Sequence, residues 1–326
     1  MKKARIFLLI FILIISCLLI SCGNGDNGSE GGNGSTCVVT FCNKDGSVIR
    51  TVEVPYGETI ATPTDPIKKN YTFVGWYSAP SHGYKYDFSK KVTESFRLYA
   101  CFEINAADIT NQISKNTMKS IVKVYARSYN TFLGIEYESS GTSQGSGFCF
   151  AAGDGYYYIL TNCHVAVKIP GYDKQKIEIE DYKGNVYTGY LYNDAISAEY
   201  DLACVYFKAS STEVTPLSIV KNNPKIGDDI ISLGAPKDQS NSITFGKVNE
   251  YRSITLTDNE AYQSNVTFEV IRHSAGRDGG SSGGPVLNSD LQVVGVHYAG
   301  NVDDSSIGFA IPAEKVNEFL QNYIYK

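Results

Sequence analysis

The feature that most constrains the fold is a long series of short β-type runs that begins near residue 118. Each run is rich in Val, Ile, Tyr or Phe and is bounded by Gly, Asn or Asp. These runs predict strands at 121–126, 132–137, 148–151, 156–161, 176–179, 187–192, 202–207, 230–233, 242–249, 266–271, 291–297 and 307–311. Only 312–323 has a helical pattern, with an apolar face of Val316, Phe319, Leu320 and Tyr323. Closely spaced strands without intervening helices predict a β-sandwich or β-barrel.

The acidic charge of the chain narrows the classes of partner. Its 326 residues carry a formal charge of −5, and 43% of them are apolar, enough for one large core or two smaller ones. The first 21 residues contain three basic side chains and no acidic one, so the formal charge of the remainder is −8. Nucleic acid is not expected as a partner of so acidic a chain. The sequence contains no P-loop, dinucleotide fingerprint or zinc-ligand spacing, and we expect neither cofactor nor metal.

The N-terminus has the organisation of an export signal. A basic start is followed by an apolar run at 6–20, which is short for a membrane span. The motif LISC at 19–22 resembles the lipobox of bacterial lipoproteins, which implies removal of residues 1–21 and acylation of Cys22. The alternatives are an ordinary signal peptide with a chance cysteine, and a weaker box ending at Cys17. Residues 22–36 are rich in Gly, Asn and Ser and predict a flexible tether, so we expect an extracytoplasmic protein that is lipid-anchored to a bacterial membrane.

Cysteine usage leaves the disulfide pattern open. Once Cys17 is removed and Cys22 acylated, six cysteines remain, at 37, 42, 101, 149, 163 and 204. Six cysteines in an exported protein allow 15 pairings. Three lie before residue 102 and three after 148, so each region has an odd one. Free buried thiols are therefore as consistent with the sequence as a full disulfide set.

Residues 37–103 form a separate small β region. A hairpin is predicted from 38–54, with its turn at Lys44-Asp45-Gly46. The segment YTFVGWY at 71–77 and the runs that follow it to residue 100 resemble the Listeria-Bacteroides repeat, which implies a β-grasp-like module. Asn70 stands where that family usually has glycine, and Phe102 where it often has tryptophan.

Three features of this region have more than one interpretation. Trp76, the only tryptophan, is predicted to anchor the module core, with a ligand-stacking role as the alternative. His82 is predicted to be an exposed loop residue. Residues 104–117 are predicted as a linker with room for a helical turn, and the module itself is a candidate spacer or partner-binding domain.

A glycine-rich stretch, GGSSGGPV at 279–286, is the strongest candidate for chemistry. Glycines on both sides of Ser282 allow backbone conformations and close approaches that other residues resist, although such a stretch alone also fits a flexible linker. A serine nucleophile needs a base and an acid that orients the base. His164, in LTNCHV, and Asp201, in DLACV, supply both, and the order His, Asp, Ser is one of three chain orders known for this geometry.

Each member of this set has an alternative. Asp194 competes with Asp201 as the acid, but the apolar run directly after Asp201 favours the latter. His164 alone would also fit a structural strand-end histidine. Cys163 suggests a thiol nucleophile, but neighbouring side chains on a strand point to opposite faces. We therefore predict a packing role for Cys163.

The motifs in residues 118–326 resemble those of HtrA-like, trypsin-fold serine peptidases. They are GSGF at 145–148, LTNCHV at 160–165, DLA at 201–203, GSSGGP at 280–285 and IGFAIP at 307–312. The resemblance implies an all-β fold of two six-stranded Greek-key barrels with a C-terminal helix. It also implies a Ser282 nucleophile, a His164 base and an Asp201 orienting acid, with the N–H groups of Gly280 and Ser282 as the oxyanion hole.

Substrate preference is suggested by charged residues around the serine loop. His297 lies fifteen residues after Ser282, and related glutamyl endopeptidases have a pocket-lining histidine at the matching place. Arg277 falls on the opposite pocket wall in this resemblance, although Asp278 could neutralise it. These residues predict a preference for Glu or Asp before the scissile bond, while His273 is interpreted as a strand or loop residue.

Two functions of different classes fit the sequence. The first is a membrane-tethered serine endopeptidase that acts on peptides or proteins. The second is a non-catalytic surface lipoprotein that uses a peptidase-like fold as an adhesin or binding module. The presence of candidates for all three catalytic side chains favours the first.

Overall fold

The computed structural model describes residues 35–81, 83–139, 143–235, 242–256, 262–276, 281–300 and 304–325. Cys22, His82, Arg277 and Gly280 lie outside these residues. Over the described ranges, no helix is both long and apolar enough to span a bilayer.

The N-terminal module is a four-stranded sheet with the order β2-β1-β4-β3. Its strands are β1 (Thr36–Cys42), β2 (Val48–Pro55), β3 (Tyr71–Tyr77) and β4 (Phe96–Ile104). Strands β1 and β4 run parallel, and the other pairs are antiparallel. Trp76 is 3% exposed and makes an edge contact with Phe41 at 4.7 Å between ring centroids. The predicted role of Trp76 as a core anchor is confirmed.

The linker prediction for residues 104–117 underestimates the structure of this segment. Helix α1 (Ala106–Lys115) has ten residues, and the Asn105 side chain caps it by accepting from the Asp108 backbone N–H at 3.2 Å. Ile109 and Ile113, one helical turn apart, are fully buried. A 3-10 turn (Thr117–Ser120) then leads into the first barrel. The isoleucines make this segment part of the folded core rather than a free connection.

Six antiparallel strands form the first barrel. The strands of this part are β5 (Ile121–Phe132), β6 (Ile135–Glu138), β7 (Ser143–Gly153), β8 (Tyr156–Thr161), β9 (Lys174–Glu180), β10 (Val186–Ser197) and β11 (Leu202–Lys208). The order β5-β7-β8-β11-β10-β9 closes through pairing of β5 with β9, and β6 extends the edge of β5 as a hairpin. Alternating burial along β5 reflects one face toward the barrel core.

The second barrel closes in the order β12-β13-β14-β17-β16-β15. Its elements are β12 (Asp229–Gly234), β13 (Ser242–Arg252), β14 (Val270–His273), β15 (Pro285–Leu287), β16 (Val293–Gly300), β17 (Gly308–Pro312) and the C-terminal helix α3 (Ala313–Tyr323). The prediction of two six-stranded barrels with a C-terminal helix is confirmed. The sequence pattern missed β15 because three residues are too few to show a period of two.

One buried cluster joins the two barrels to the helices. It contains Ile109 of α1, Phe148 of the first barrel, Val296 of the second and Phe319 of α3. The six cysteines at 37, 42, 101, 149, 163 and 204 are all unpaired. The shared core holds the two barrels against each other, and the candidate catalytic residues lie where they meet.

Candidate active site

His164 lies on a one-turn helix that directly follows a strand of the first barrel. This turn, α2 (Cys163–Ala166), begins two residues after β8 ends. The Ser143 hydroxyl donates to the His164 carbonyl oxygen at 3.0 Å and ties the turn to β7. The imidazole is 15% exposed. The side chain is therefore held at the barrel end and keeps access to solvent.

Asp201 is fully buried, and both of its carboxylate oxygens bind His164. Oδ1 accepts from the His164 backbone N–H at 2.9 Å, and Oδ2 lies 2.7 Å from Nδ1 of the imidazole. The Asn162 side chain also donates to the Asp201 carbonyl oxygen at 2.9 Å. Asp201 has φ +47, a left-handed conformation that Asp adopts more readily than most residues. Because a carboxylate only accepts, it orients the Nδ1–H and leaves Nε2 as the acceptor of the ring.

The described part of the serine loop packs against the first barrel. The Ser282 carbonyl oxygen accepts from the Ser146 N–H at 2.7 Å. A Cβ atom on Gly145 would lie 2.6 Å from a Val165 methyl group and 2.8 Å from the Ser282 carbonyl oxygen. Only a glycine at position 145 allows both to approach. The loop carrying Ser282 and the turn carrying His164 therefore converge on the same short segment of β7.

No hydrogen bond links Ser282 to His164 among the described residues, and such contacts are often longer in peptidases without substrate.

Gly283 shows how closely the serine loop packs against the first barrel. It has φ +85, and a Cβ there would overlap the Ser146 carbonyl oxygen and the Thr161 hydroxyl. Gly280, the other predicted oxyanion residue, lies outside the described residues.

Ser146 is a site residue whose role the sequence reasoning missed. Its N–H donates to Ser282, its hydroxyl accepts from the Ala235 N–H at 2.8 Å, and its carbonyl oxygen accepts from the Thr161 hydroxyl at 2.7 Å. Ser146 belongs to the first barrel, whereas Ser282 and Ala235 belong to the second. Gly145 marks this close approach in the sequence, and the serine that follows it joins the barrels.

His297 is 2% exposed on β16 and connected directly to the serine loop. Its backbone oxygen accepts from Gly283 N–H at 2.9 Å, and its N–H donates to the Gly284 oxygen at 2.8 Å. Its ring contacts that of His273 with 5.7 Å between centroids. Arg277, the other residue predicted to line the pocket, lies outside the described residues.

His273 is a fully buried member of β14, in agreement with its interpretation as a strand or loop residue. Its Nδ1 accepts from the Ala275 N–H at 3.3 Å, and its Nε2 has no hydrogen-bond partner among the described residues. Burial lowers the pKa of His273 to about 4. A Cβ at residue 308 would overlap the ring, so Gly308 provides the space that the ring fills.

The alternatives raised for the acid and the nucleophile are separated by burial and position. Asp194 is exposed on β10, whereas Asp201 binds His164. Cys163 is buried, its thiol donates to the Tyr262 carbonyl oxygen at 3.7 Å, and burial raises its pKa to about 12. The packing role agrees with this position, but the stated reason was wrong because residues 163 and 164 lie on a helical turn rather than a strand. Burial, not strand alternation, keeps the thiol from acting as a nucleophile.

The two closed barrels and the His164–Asp201 pair at their junction define a trypsin-like architecture. Comparison with protein families agrees: residues 145–296 match the trypsin-like peptidase domain, and residues 38–101 match the Listeria-Bacteroides repeat domain. A solved structure of the Rv3671c protease from M. tuberculosis in its active form superposes with a TM-score of 0.52. The superposition covers 67% of this chain and 87% of the Rv3671c chain, and the two sequences are 23% identical. At this identity, the similarity supports the fold alone.

Among curated proteins, the chain is similar to HtrA-like serine proteases, whose motifs its own resemble. It is 30% identical over 196 residues to the serine protease Do-like HtrA of Bacillus subtilis, a match that covers 58% of this chain and 41% of the relative. It is also 30% identical over 210 residues to the mitochondrial serine protease HTRA2 of Bos taurus, covering 64% and 42%. The chain thus spans about two fifths of the length of the curated relatives it matches.

Proposed function

We propose that this protein is a serine endopeptidase that cleaves peptide bonds through an acyl-enzyme on Ser282. The observation that carries the proposal is the buried Asp201 carboxylate, which holds His164 at 2.7 Å with Nε2 left as an acceptor. The packing of the Ser282 loop and the His164 turn on the same glycine supports it. The HtrA-like relatives and the trypsin-like domain point to the same chemistry.

The reaction assigns one role to each side chain. His164 Nε2 takes the proton of the Ser282 hydroxyl as Oγ attacks the scissile carbonyl, and Asp201 stabilises the resulting imidazolium. The N–H groups of Gly280 and Ser282 stabilise the oxyanion, and each such donor is typically worth about 2.7–4 kcal/mol. His164 then protonates the leaving amine, and an acyl-enzyme remains. Water, deprotonated by His164, attacks the ester and releases the new carboxylate and the Ser282 hydroxyl.

Cleavage of an unfolded protein tests this function. The full chain should fragment reduced, alkylated casein, and Ser282→Ala should abolish cleavage without changing the melting temperature. Ser281→Ala is the matched control, because it removes the neighbouring hydroxyl and should retain cleavage. Intact casein in the presence of the folded wild-type chain would instead favour the non-catalytic binding module.

We also propose that the pocket prefers an acidic residue before the scissile bond. Support comes from His297, whose backbone hydrogen-bonds with both glycines that follow Ser282. It also comes from the basic residue Arg277, which lies five residues before Ser282. Peptides with Glu at this position should be cleaved faster than matched peptides with Gln, and His297→Gln should reduce that ratio. A wild-type preference for Lys, Arg or small apolar residues would contradict the proposal.

Membrane tethering is a separate proposal, supported by the LISC motif and the polar stretch that follows it. Cys22 would carry the lipid, so a fatty-acid analogue supplied to expressing bacteria should label the wild-type chain. Cys22→Ser should remove the label, and Cys17→Ser should keep it. The reverse pattern would move the anchor to position 17. A tether would place the peptidase, and any cell-surface partner of the repeat module, outside the cytoplasm.

A further inference from the structure

Asn70 connects three parts of the molecule at the edge of the repeat module. Its backbone oxygen accepts from the Asn105 N–H at 2.9 Å, and its side-chain Oδ1 accepts from Gln112 of α1 at 2.9 Å. Its Nδ2 donates to the Ser289 carbonyl oxygen of the second barrel at 2.6 Å. Because a carbonyl oxygen can only accept, the orientation of the Asn70 amide is determined by its partners. The side chain therefore ties the module and helix α1 to the peptidase region.

This position explains the departure of Asn70 from the glycine usual in the repeat family. Asn70 has φ +65, the left-handed region where glycine is favoured and where Asn is among the best-tolerated other residues. Asparagine thus keeps the turn conformation and adds an amide that glycine lacks. In this chain the amide is used to reach the peptidase region.

The turn that Asn70 contacts joins two strands of the candidate site. Ser289 lies in the turn between β15 and β16 and only seven residues after Ser282. From this turn, β15 leads back to the serine loop and β16 leads forward to His297. The pairing with β16 continues into the serine loop that precedes β15. The Gly283 N–H donates to the His297 carbonyl oxygen, and the His297 N–H donates to the Gly284 carbonyl oxygen. The turn is therefore connected to both Ser282 and His297 through β15, β16 and these hydrogen bonds.

Tyr71 makes a second, partly buried contact between the module and the second barrel, because its hydroxyl interacts with Ser289 and Asp229. A cavity of about 400 Å³ opens beside this contact, with Lys68 and Tyr71 on the module side and Asn288 on the barrel side. Lys69 and Asp290 form an ion pair at 3.7 Å, but their side chains are 73% and 59% exposed. Exposed pairs of this kind stabilise little. Asn70 and Tyr71 thus both reach Ser289, and Asn70 also binds α1 through Gln112.

We propose that the repeat module is coupled to the serine loop through Asn70, which acts as a positioning residue for Ser282 and His297 by fixing the β15–β16 turn. The catalytic consequence rests on the proposed peptidase function, whereas the mechanical coupling does not. The module then helps to position the residues of the candidate active site and is more than a spacer.

Amide hydrogen exchange on the full chain tests the coupling without requiring activity. The N–H groups of Gly283 and Gly284 donate to protein carbonyl oxygens, so their protection is measurable. Asn70→Gly keeps the turn conformation and removes the amide, and Asn70→Asp keeps the size but cannot donate to Ser289. In both variants, the amide hydrogens of peptides that cover 281–287 should exchange faster than in the wild type. The exchange rates of the first barrel should be unchanged. Lys69→Ala removes only the exposed ion pair and should behave like the wild type.

The rate of reaction with a fluorophosphonate tests whether the coupling affects the reactivity of Ser282. Both Asn70 variants should react more slowly by about 2- to 30-fold, the range expected for coupling through a packed path, at a temperature where all variants are folded. Wild-type exchange at 281–287 in both Asn70 variants would overturn the coupling, and so would an equal effect of Lys69→Ala. A wild-type chain that fails to react would contradict the peptidase function, and the exchange result would still decide the coupling.

Discussion

The two barrels contribute to the candidate site by different physical means. In the first barrel, Asp201 and His164 are joined through side-chain hydrogen bonds in a buried setting. In the second barrel, Ser282 is positioned by backbone contacts of a glycine-rich loop with Ser146 and His297. In the proposed mechanism, proton transfer thus depends on a fixed pair of ionisable groups, whereas placement of the nucleophile depends on close backbone approach. Substitutions in the two barrels should therefore fail in distinguishable ways.

The largest effect is expected in the first barrel, for Asp201→Asn. The amide can still accept from the His164 N–H, but its NH₂ group opposes the Nδ1–H tautomer that general-base catalysis needs. The loss in kcat should be about 10⁴-fold, as for this change in related triads, with little change in melting temperature. Asp194→Asn is the control and should be neutral. If Asp201→Asn retained more than about a tenth of the wild-type rate, the acid would have to be another residue.

The next effect concerns the junction of the barrels and is one of stability. Gly283→Ala would place a Cβ against the Ser146 carbonyl oxygen at φ +85, whereas Gly227, with φ +87 in the same barrel, has no atom within 4 Å of such a Cβ. Gly227→Ala should cost about 1–2 kcal/mol of unfolding free energy from backbone conformation alone. Gly283→Ala should cost about 1–3 kcal/mol more through overpacking. Equal losses in urea unfolding would show that the barrels do not approach closely at residue 283.

A smaller, pH-dependent effect is expected from the buried histidine of the second barrel. The pKa of His273 is lowered from 6.5 to about 4 by burial, so the unfolded chain binds this proton at a higher pH than the folded chain. The contribution of neutral His273 to stability is therefore complete above pH 6.5 and is lost as the pH falls towards 4. Its slope should be about 1.4 kcal/mol per pH unit.

His273→Leu removes this titration. The unfolding free energy of the wild type should therefore fall more steeply than that of the variant between pH 6.5 and 4, with parallel curves above pH 7. Parallel curves across the whole range would mean that His273 takes up its proton in the folded state at an ordinary pH.

The smallest effect is expected for Cys163→Ser in the first barrel. The buried thiol, with its pKa raised to about 12, takes no part in the proposed chemistry. Activity should stay within about twofold of the wild type, and N-ethylmaleimide should not inhibit the native enzyme. Loss of activity with retained folding would return the thiol to the list of candidate nucleophiles.

The sequence predicted the features that depend on local pattern and motif. The all-β class follows from the short β-type runs, whereas the two barrels follow from the motif resemblance, and the pairing of His164 with Asp201 follows from motifs and chain order. Features that depend on contacts between distant segments were not predictable in this way. Ser146, β15, the buried His273 and the Asn70 contact all acquire their roles from residues that are remote in the chain. Helix α1 was underestimated because two isoleucines define only a narrow apolar face until their partners are known.

In the proposed mechanism, a histidine–aspartate pair of the first barrel activates Ser282 of the second. Its most direct test is reaction of the folded chain with a fluorophosphonate probe, followed by mass spectrometry of its peptides. One phosphonyl group per chain is expected on Ser282, and it should be absent in Ser282→Ala and in His164→Ala. A folded wild-type chain without label, or a label that persists in Ser282→Ala, would contradict it.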